Sequence, residues 1–305
     1  MAGGPVVVLA GGTGGAKLAR GMLDVAGEDL VVIANTADDI EVHGAHVSPD
    51  PDLVLFWLAD RIDERGWGLR GDSFAVMDAL RELGAEVWFN LGDQDLAIGL
   101  ERRRRLEEGA RLTEVLAELA RTLGVRAQVL PMSDDPVRTR VRHDGRWWPF
   151  QEYMIRAHAA EPVQDVEFEG AESARATLEA LEALASARAI VIGPSNPVIS
   201  IGPILAVPGM REAIRQARAP VVTVSPIVGG TVVKGPTAAF MGWAGHSVDA
   251  AGVADAYAGL LDGLVADEPV DGLPALRIDT LLADAGSRRR VAEQVLDFAT
   301  SLGES

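Results

Sequence analysis

The stretch that most limits what this chain can become stands at its front. Pro5-Val-Val-Val-Leu-Ala10 is an unbroken apolar run rich in β-branched residues. Gly11-Gly-Thr-Gly-Gly15 follows at once, and the residues from Ala16 to Val25 have helical spacing. A run that is apolar at every position, not at alternate ones, suits a strand covered on both faces. Strand, glycine turn and helix open a βαβ unit. The predicted fold class is therefore α/β, a doubly wound, Rossmann-like, mostly parallel sheet with helices on both faces.

The rest of the chain keeps the alternation. Leu30–Ala34 predicts a second strand and Val87–Leu91 a third, with helices over Leu53–Ile62 and Ser73–Leu83, the latter closed by Gly84. Leu112, Leu116, Leu119 and Leu123 lie at helical spacing and stop at Gly124, after which Val125–Leu130 reads as a strand. Residues 137–168 alternate polar and apolar around Asp144-Gly145, which predicts a small antiparallel insertion or cap around 132–170. Further on come a helix over Ala171–Ala187, a strand at Ala189–Ile192, a helix opened by Pro208 and a strand ending at Val224. Helices near 248–264 and 288–302, separated by Leu276–Asp279, close the chain. No repeat or linker divides residues 1–305, so a single domain is expected.

Composition removes several function classes. The 305 residues carry 28 Lys and Arg against 45 Asp and Glu, a formal charge of −17, which disfavours a duplex nucleic-acid partner. The absence of Cys excludes disulfides, thiolate zinc sites, iron–sulfur clusters and Cys nucleophiles. The uncharged stretch from Val191 to Met210 is broken by Pro194, Pro197, Pro203 and Pro208, so no membrane helix is expected there. The first residues show no basic signal region, and the expected location is the cytoplasm.

In an open parallel sheet, ligands bind at the carboxyl ends of the strands. Gly11, Gly12, Thr13, Gly14 and Gly15 would let the backbone approach an anion there, at a helix N-terminus reinforced by Lys17. The spacing is neither a Walker A loop nor a G-x-G-x-x-G fingerprint. Asp38, Asp39, Asp50 and Asp52 follow the second strand and would repel a phosphate unless a cation sat between, a role that suits Mg²⁺. Singly, Asp50 or Asp52 would also serve as a helix cap. His43 and His46 are spaced like zinc ligands on a helix, but Gly44 and Pro49 argue against a helix. Arg102–Arg105 reads as a solvated helix face or an anion contact. Ser195, Asn196, Ser225, Gly229 and Gly230 follow later strands and suit either turns or contacts to a ring or ribose. No G-x-S-x-G elbow supports a covalent hydrolase.

The segments GGTGGAKL, NTADD, HGAHVSPDPD, LGDQD, LPMSDDPVRTRV, FQEYMIR, IGPSNPVISIGPILAVPGMREAI and APVVTVSPIVGG are collinear over nearly the whole chain. Together they resemble the CofD/FbiA family, the 2-phospho-L-lactate transferases of coenzyme F420 biosynthesis. The YvcK-type sugar-nucleotide-binding proteins share the glycine loop and an ADD-like element, but not the PSNP–SIGPI block.

The resemblance implies Mg²⁺-dependent transfer of a phospholactyl-type group from a guanosine diphosphate-linked donor to the deazaflavin FO, releasing GMP. The acid carried by the donor, phospholactate, phosphoenolpyruvate or phosphoglycerate, stays open, and a homodimer is expected. Carried over by residue, the resemblance implies Asp50 and Asp39 as catalytic, Asp50, Asn90 and Asp93 at FO, and Asp38 and Asp39 at the metal. Gly11–Gly15, Lys17, Ser195, Asn196, Gly229 and Gly230 fall on the donor side. Gln94, where many members carry Arg, and Glu41-Val42 depart from the family pattern. The competing class is a YvcK-like regulator without turnover.

Overall fold

In the computed structural model, which describes residues 3–233 and 235–303, the apolar run at the front becomes the middle of a parallel sheet. Its strands are β1 (Val6–Ala10), β2 (Leu30–Ala34), β3 (Gln128–Pro131), β4 (Ala189–Ile192), β5 (Val221–Val224), β6 (Gly263–Ala266) and β7 (Ala275–Arg277). Their spatial order is β7-β6-β5-β4-β1-β2-β3, and every neighbouring pair is parallel. Chain order reverses between β1 and β4, the topological switch point of a doubly wound sheet.

The front run is apolar at every position because both its faces are covered. Val6, Val8 and Ala10 pack into one core cluster and Val7 and Leu9 into the other. All five are fully buried. Each such Val or Leu contributes about 1.5–3 kcal/mol, which makes this strand the anchor of both layers.

One face of the sheet is covered by α1 (Gly12–Ala26), α2 (Pro49–Leu58), α5 (Leu112–Leu123) and the C-terminal helix (Ala285–Gly303). Between them in sequence, α3 (Ala75–Glu82) and α4 (Asp93–Glu107) form a side unit with the hairpin of Ile40–Val42 and Ala45–Val47. The other face is covered mainly by the helix that precedes β4 and the short helices after it. The former spans Leu178–Ser186, and the later helices include Met210–Gln216 and Ala250–Ala256. The antiparallel insertion is present: Arg138–His143 pairs with both Arg146–Pro149 and Asp165–Glu169. Its turn has positive φ at Asp144 and Gly145, and a short helix runs over Phe150–Ile155. Among the described residues no helix is long and apolar enough to cross a membrane.

Several expected elements differ. Val87–Leu91 forms no strand: Val87, Trp88 and Phe89 pack on the small cluster around Met77 and Leu96, and the third strand is β3. The helix expected near 248–264 stops at Ala256. Gly259 takes a φ of +75°, and the apolar residues beyond it enter β6. A Cβ at Gly263 would stand 2.7 Å from the Phe298 ring, so this strand lies hard against the C-terminal helix. The helix expected from Ala171 begins at Leu178, where the Thr177 side chain caps it. The helix expected from Leu53 begins four residues earlier, at Pro49, which carries Asp50 and Asp52 into its first turn.

Gly21 sets the approach of α1 to the C-terminal helix, because a Cβ there would stand 2.3 Å from the Arg288 carbonyl oxygen. Gly21→Ala should therefore destabilise the protein by about 1–3 kcal/mol, although Ala is the better helix former. Urea unfolding checks this, and a variant more stable than wild type would contradict it.

Candidate active site

A cavity of about 630 Å³ opens over the carboxyl ends of β1, β4 and β5, at the switch point. Gly11, Gly12, Thr13 and Gly14 line it, so the glycine segment is less a loop than the first turn of α1, whose N-cap is Gly11. The glycines have separate tasks. Gly12 takes a φ of +63°, and no atom that a Cβ would meet is closer than Ser200 Oγ at 3.9 Å, so its backbone is the open one. A Cβ at Gly14 would stand 2.0 Å from the Pro194 carbonyl oxygen, and one at Gly15 2.6 Å from Ser195 Oγ. These two glycines seat α1 against the 193–196 loop, and Gly15 does not reach the cavity. Lys17 lines it one turn on, with its ammonium 5.7 Å from the Trp57 ring.

Asp50 joins three segments. Its Oδ1 accepts the Gly12 backbone N–H at 2.7 Å and its Oδ2 the Asn35 side-chain amide at 2.9 Å. Asn35 is itself fixed, since its Oδ1 accepts the Ala37 N–H at 2.9 Å and its own N–H donates to the Ala10 carbonyl at 3.0 Å. Burial pushes the Asp50 carboxyl up to about 6, against the pull of those two donors. Asp38 lines the same cavity and is buried, and its Oδ1 has no hydrogen-bond partner. Burial first, and then the Asp50 charge, raise the Asp38 carboxyl well above the usual range. Two buried carboxylates thus face one cavity beside a helix N-terminus and a lysine.

Asp39 turns the other way. It accepts the Ser48 hydroxyl at 2.7 Å, and His46 Nε2 lies 3.0 Å from its other oxygen. His46 Nδ1 is 2.9 Å from Glu41, which pairs with Arg138 at 3.3 Å. Asp39, Thr36, Glu41, His46, Ser133 and Arg138 help to line a second cavity of about 500 Å³. Asp38 and Asp39, expected to share a metal, therefore face different cavities. The structure instead pairs Asp38 with Asp50. Among the described residues there is no group of three or more His, Asp or Glu able to hold a metal ion. His43 sits in the turn of a hairpin and His46 in its second strand, so neither is on a helix, and the His43 ring is 2.8 Å from the Phe89 carbonyl.

Ser195 and Asn196 line the first cavity. Ser195 Oγ accepts the Gly11 N–H at 3.3 Å. Asn196 Oδ1 caps the following turn by accepting the Val198 N–H at 2.9 Å, while its buried Nδ2 has no partner. Gly229 and Gly230, expected at the donor, form the tight turn of a small hairpin with positive φ at both. They do not line the cavity; Ser225, Pro226 and Val228 from the same segment do.

Asn90 and Asp93, expected at the acceptor, line neither cavity. Asp93 accepts the Ala75 and Val76 N–H groups at 3.1 and 3.0 Å, which caps α3, and Asn90 accepts from Arg81 at 2.7 Å. Asp72 returns the cap, accepting the Gln94 N–H of α4 at 2.9 Å. Arg102 is buried and paired with Asp52, whereas Arg103, Arg104 and Arg105 pair with glutamates. None of the four lines the first cavity. Sequence reasoning missed its apolar wall, which includes Trp67, Phe150, Met154, Leu281 and Leu282. Those residues come from three separate segments, and only Phe150 and Met154 share a motif, FQEYMIR.

Residues 6–288 match the family model described as 2-phospho-L-lactate transferase CofD. A 2-phospho-L-lactate transferase of Methanosarcina mazei is 38% identical over 302 residues, covering 95% of this chain and 99% of that protein. A phosphoenolpyruvate transferase of Streptomyces griseus is 40% identical over 311 residues, covering 96% of this chain and 98% of that protein. Among solved structures, the crystal structure of a UPF0052-family protein from Bacillus halodurans is similar, with a TM-score of 0.65 and 20% identity. That match covers 97% of this chain and 99% of the other, and it shows the fold alone.

The carboxyls of Asp38 and Asp50 are raised on folding, so their contribution to stability is complete at low pH and is lost as pH rises through their folded values. Asp95, pushed up to about 7 by burial and by Asp52, adds the same sign. Without divalent cations, the melting temperature should therefore fall between about pH 5 and pH 7. Asp38→Asn should flatten that fall and raise the melting temperature at pH 7.5 by about 2–4 °C. Differential scanning calorimetry checks this. An equal drop in the variant at pH 5 and pH 7.5 would contradict it.

Proposed function

Because the chain belongs to the CofD family of 2-phospho-L-lactate transferases, we propose that it transfers a phospholactyl-type group from a guanosine diphosphate-linked donor to the terminal hydroxyl of the deazaflavin FO. The observation that carries this reading is the single cavity at the switch point. It joins an anion-binding helix N-terminus, a pair of buried carboxylates and an apolar wall large enough for a flat ring. The regulator reading has the shared glycine loop and ADD-like element on its side, but the curated relatives described above are transferases.

Each part has a task. With the Gly11 and Gly12 N–H groups held by Ser195 and Asp50, the rest of the first turn of α1 at Thr13 and Gly14, together with Lys17, binds the donor diphosphate, and Asn196 offers a polar group beside it. Asp38 and Asp50 fit Mg²⁺, because one oxygen of Asp38 has no partner and burial raises the proton affinity of both carboxyls, that of Asp38 further through the Asp50 charge. Two carboxylates with donor phosphates make an ordinary Mg²⁺ set, and the cation would neutralise charge on the transferring group. The FO hydroxyl oxygen forms a bond to the phosphorus that carries the acid, the bond from that phosphorus to the GMP oxygen breaks, and the hydroxyl proton passes to Asp50. A carboxyl near 6 is matched to that task around neutral pH. The acid on the donor is left open by relatives named for phospholactate and for phosphoenolpyruvate at 38% and 40% identity.

Incubation with Mg²⁺, FO and each of the guanylylated phospholactate, phosphoenolpyruvate and phosphoglycerate donors, followed by mass spectrometry, tests the reading. One donor should give the FO phosphodiester and GMP in equal amounts, and no product from any of the three would overturn it. Asp50→Asn should lower turnover by about 10²–10⁴-fold. The wild-type kcat/KM should rise with pH and then level off, because Asp50 must be ionised, and the midpoint should move below about 6 as Mg²⁺ is raised, since the cation competes with the proton. A profile flat from pH 5 to pH 8 would remove Asp50 from that role.

A further inference from the structure

We infer that the indole of Trp67 is the platform on which the planar ring of the acceptor stacks, a reading that rests on the function proposed above. Four of the large hydrophobic side chains left exposed by folding, Trp67, Ile155, Val233 and Leu281, line the same cavity. They come from four separate segments, and each leaves more than a third of its surface in water. An apolar rim around a deep polar floor marks a binding site for a ligand with a flat apolar end and a charged or polar end. Among these four only Trp67 presents an aromatic face.

Its setting holds that face in place. Trp67 stands at the tip of a narrow ribbon in which Ile62 bridges Leu69, and the Asp63 N–H donates to the Gly68 carbonyl at 3.0 Å. The Arg70 N–H donates to the Arg61 carbonyl at 2.8 Å and closes its base. Gly66 and Gly68, on either side of Trp67, have φ of +81° and +69°, a conformation that an L side chain rarely takes. The Arg65 guanidinium lies 4.3 Å from the Trp67 ring centroid and 5.5 Å from that of Phe74, and Asp63 pairs with it at 2.5 Å. The indole is thus backed by a neutralised cation while 44% of its surface stays exposed at the cavity. Nothing in the core depends on it, since the ribbon is held by backbone bonds and by Arg65. A side chain of that size, braced from behind and left open, serves a ligand better than it serves the fold.

Steady-state kinetics and fluorescence titration with FO test the assignment. Trp67→Ala should raise the FO KM and Kd by about ten-fold or more, with kcat at saturating FO, donor KM and melting temperature near wild type. Trp67→Phe, which keeps an aromatic face, should recover most of the FO affinity. An unchanged FO KM in Trp67→Ala would overturn the assignment, as would equal losses in FO and donor KM or a failure of Phe to rescue. A wild-type protein that binds no FO would overturn both this inference and the function proposed above. FO turnover indifferent to Trp67→Ala would overturn this one alone.

Discussion

The carboxylate of Asp50 is the joint on which the site depends. One oxygen holds the first free N–H of α1, the other holds Asn35 at the end of β2, and the residue itself sits in the first turn of α2. Segments 38 and 15 residues away are thereby fixed to one side chain. The glycine turn can stay open at Gly12 because Asp50 supplies the bond that a tighter turn would make within itself. Gly11 adds the reason for the fit: a Cβ there would stand 2.8 Å from Asp50 Oδ2 and 2.7 Å from the Ser200 Cβ. The same clasp brings Asp50 beside Asp38 and leaves Asp39 to its own bonds with Ser48 and His46.

That joint has an electrostatic cost. Asp50 is buried with Asp38 as neighbour, and both proton affinities rise above the ordinary carboxylate range. Buried like charges oppose folding at neutral pH, and nothing in the apolar wall offsets them. The arrangement makes sense where a cation and an anionic donor bind together, because each compensates the other and neither need bind well alone. Function and instability share an origin here: the groups that disfavour the empty cavity are the ones that would organise the filled one.

Much of the fold was legible in the sequence, because β1, β2 and β4 are buried on both faces and leave an apolar run that has few other readings. β6 was not legible, since Leu264, Val265 and their neighbours fit a helix period as well as a strand until Gly259 ends the helix. In the site, Gly11, Gly12, Gly14, Lys17, Asp38, Asp50, Ser195 and Asn196 could all be read from their places after strands, and all line one cavity. The split of Asp38 from Asp39 was hidden, because which way each side chain turns is set by Ser48 and His46 in a later segment. Asp93, placed at the acceptor by the resemblance, caps a helix, and Gly229 makes a hairpin turn; capping carboxylates and turn glycines use the same residue types as ligand sites. Trp67 carried a signal, an aromatic residue between two glycines, but only the tertiary structure gives it a cavity to face.

Under the proposed function, Asp38 and Asp50 form one electrostatic unit that a divalent cation would convert from repelling a diphosphate to holding it. Calorimetric titration with GDP from pH 5 to pH 8, with and without Mg²⁺, measures this directly. With chelator the affinity should fall as pH rises, because the ionising carboxylates repel the ligand. With Mg²⁺ it should rise over the same range, because the ionised pair holds the cation, and Asp38→Asn should abolish the rise. The same pH slope with and without Mg²⁺, or a slope unaltered in Asp38→Asn, would contradict the account.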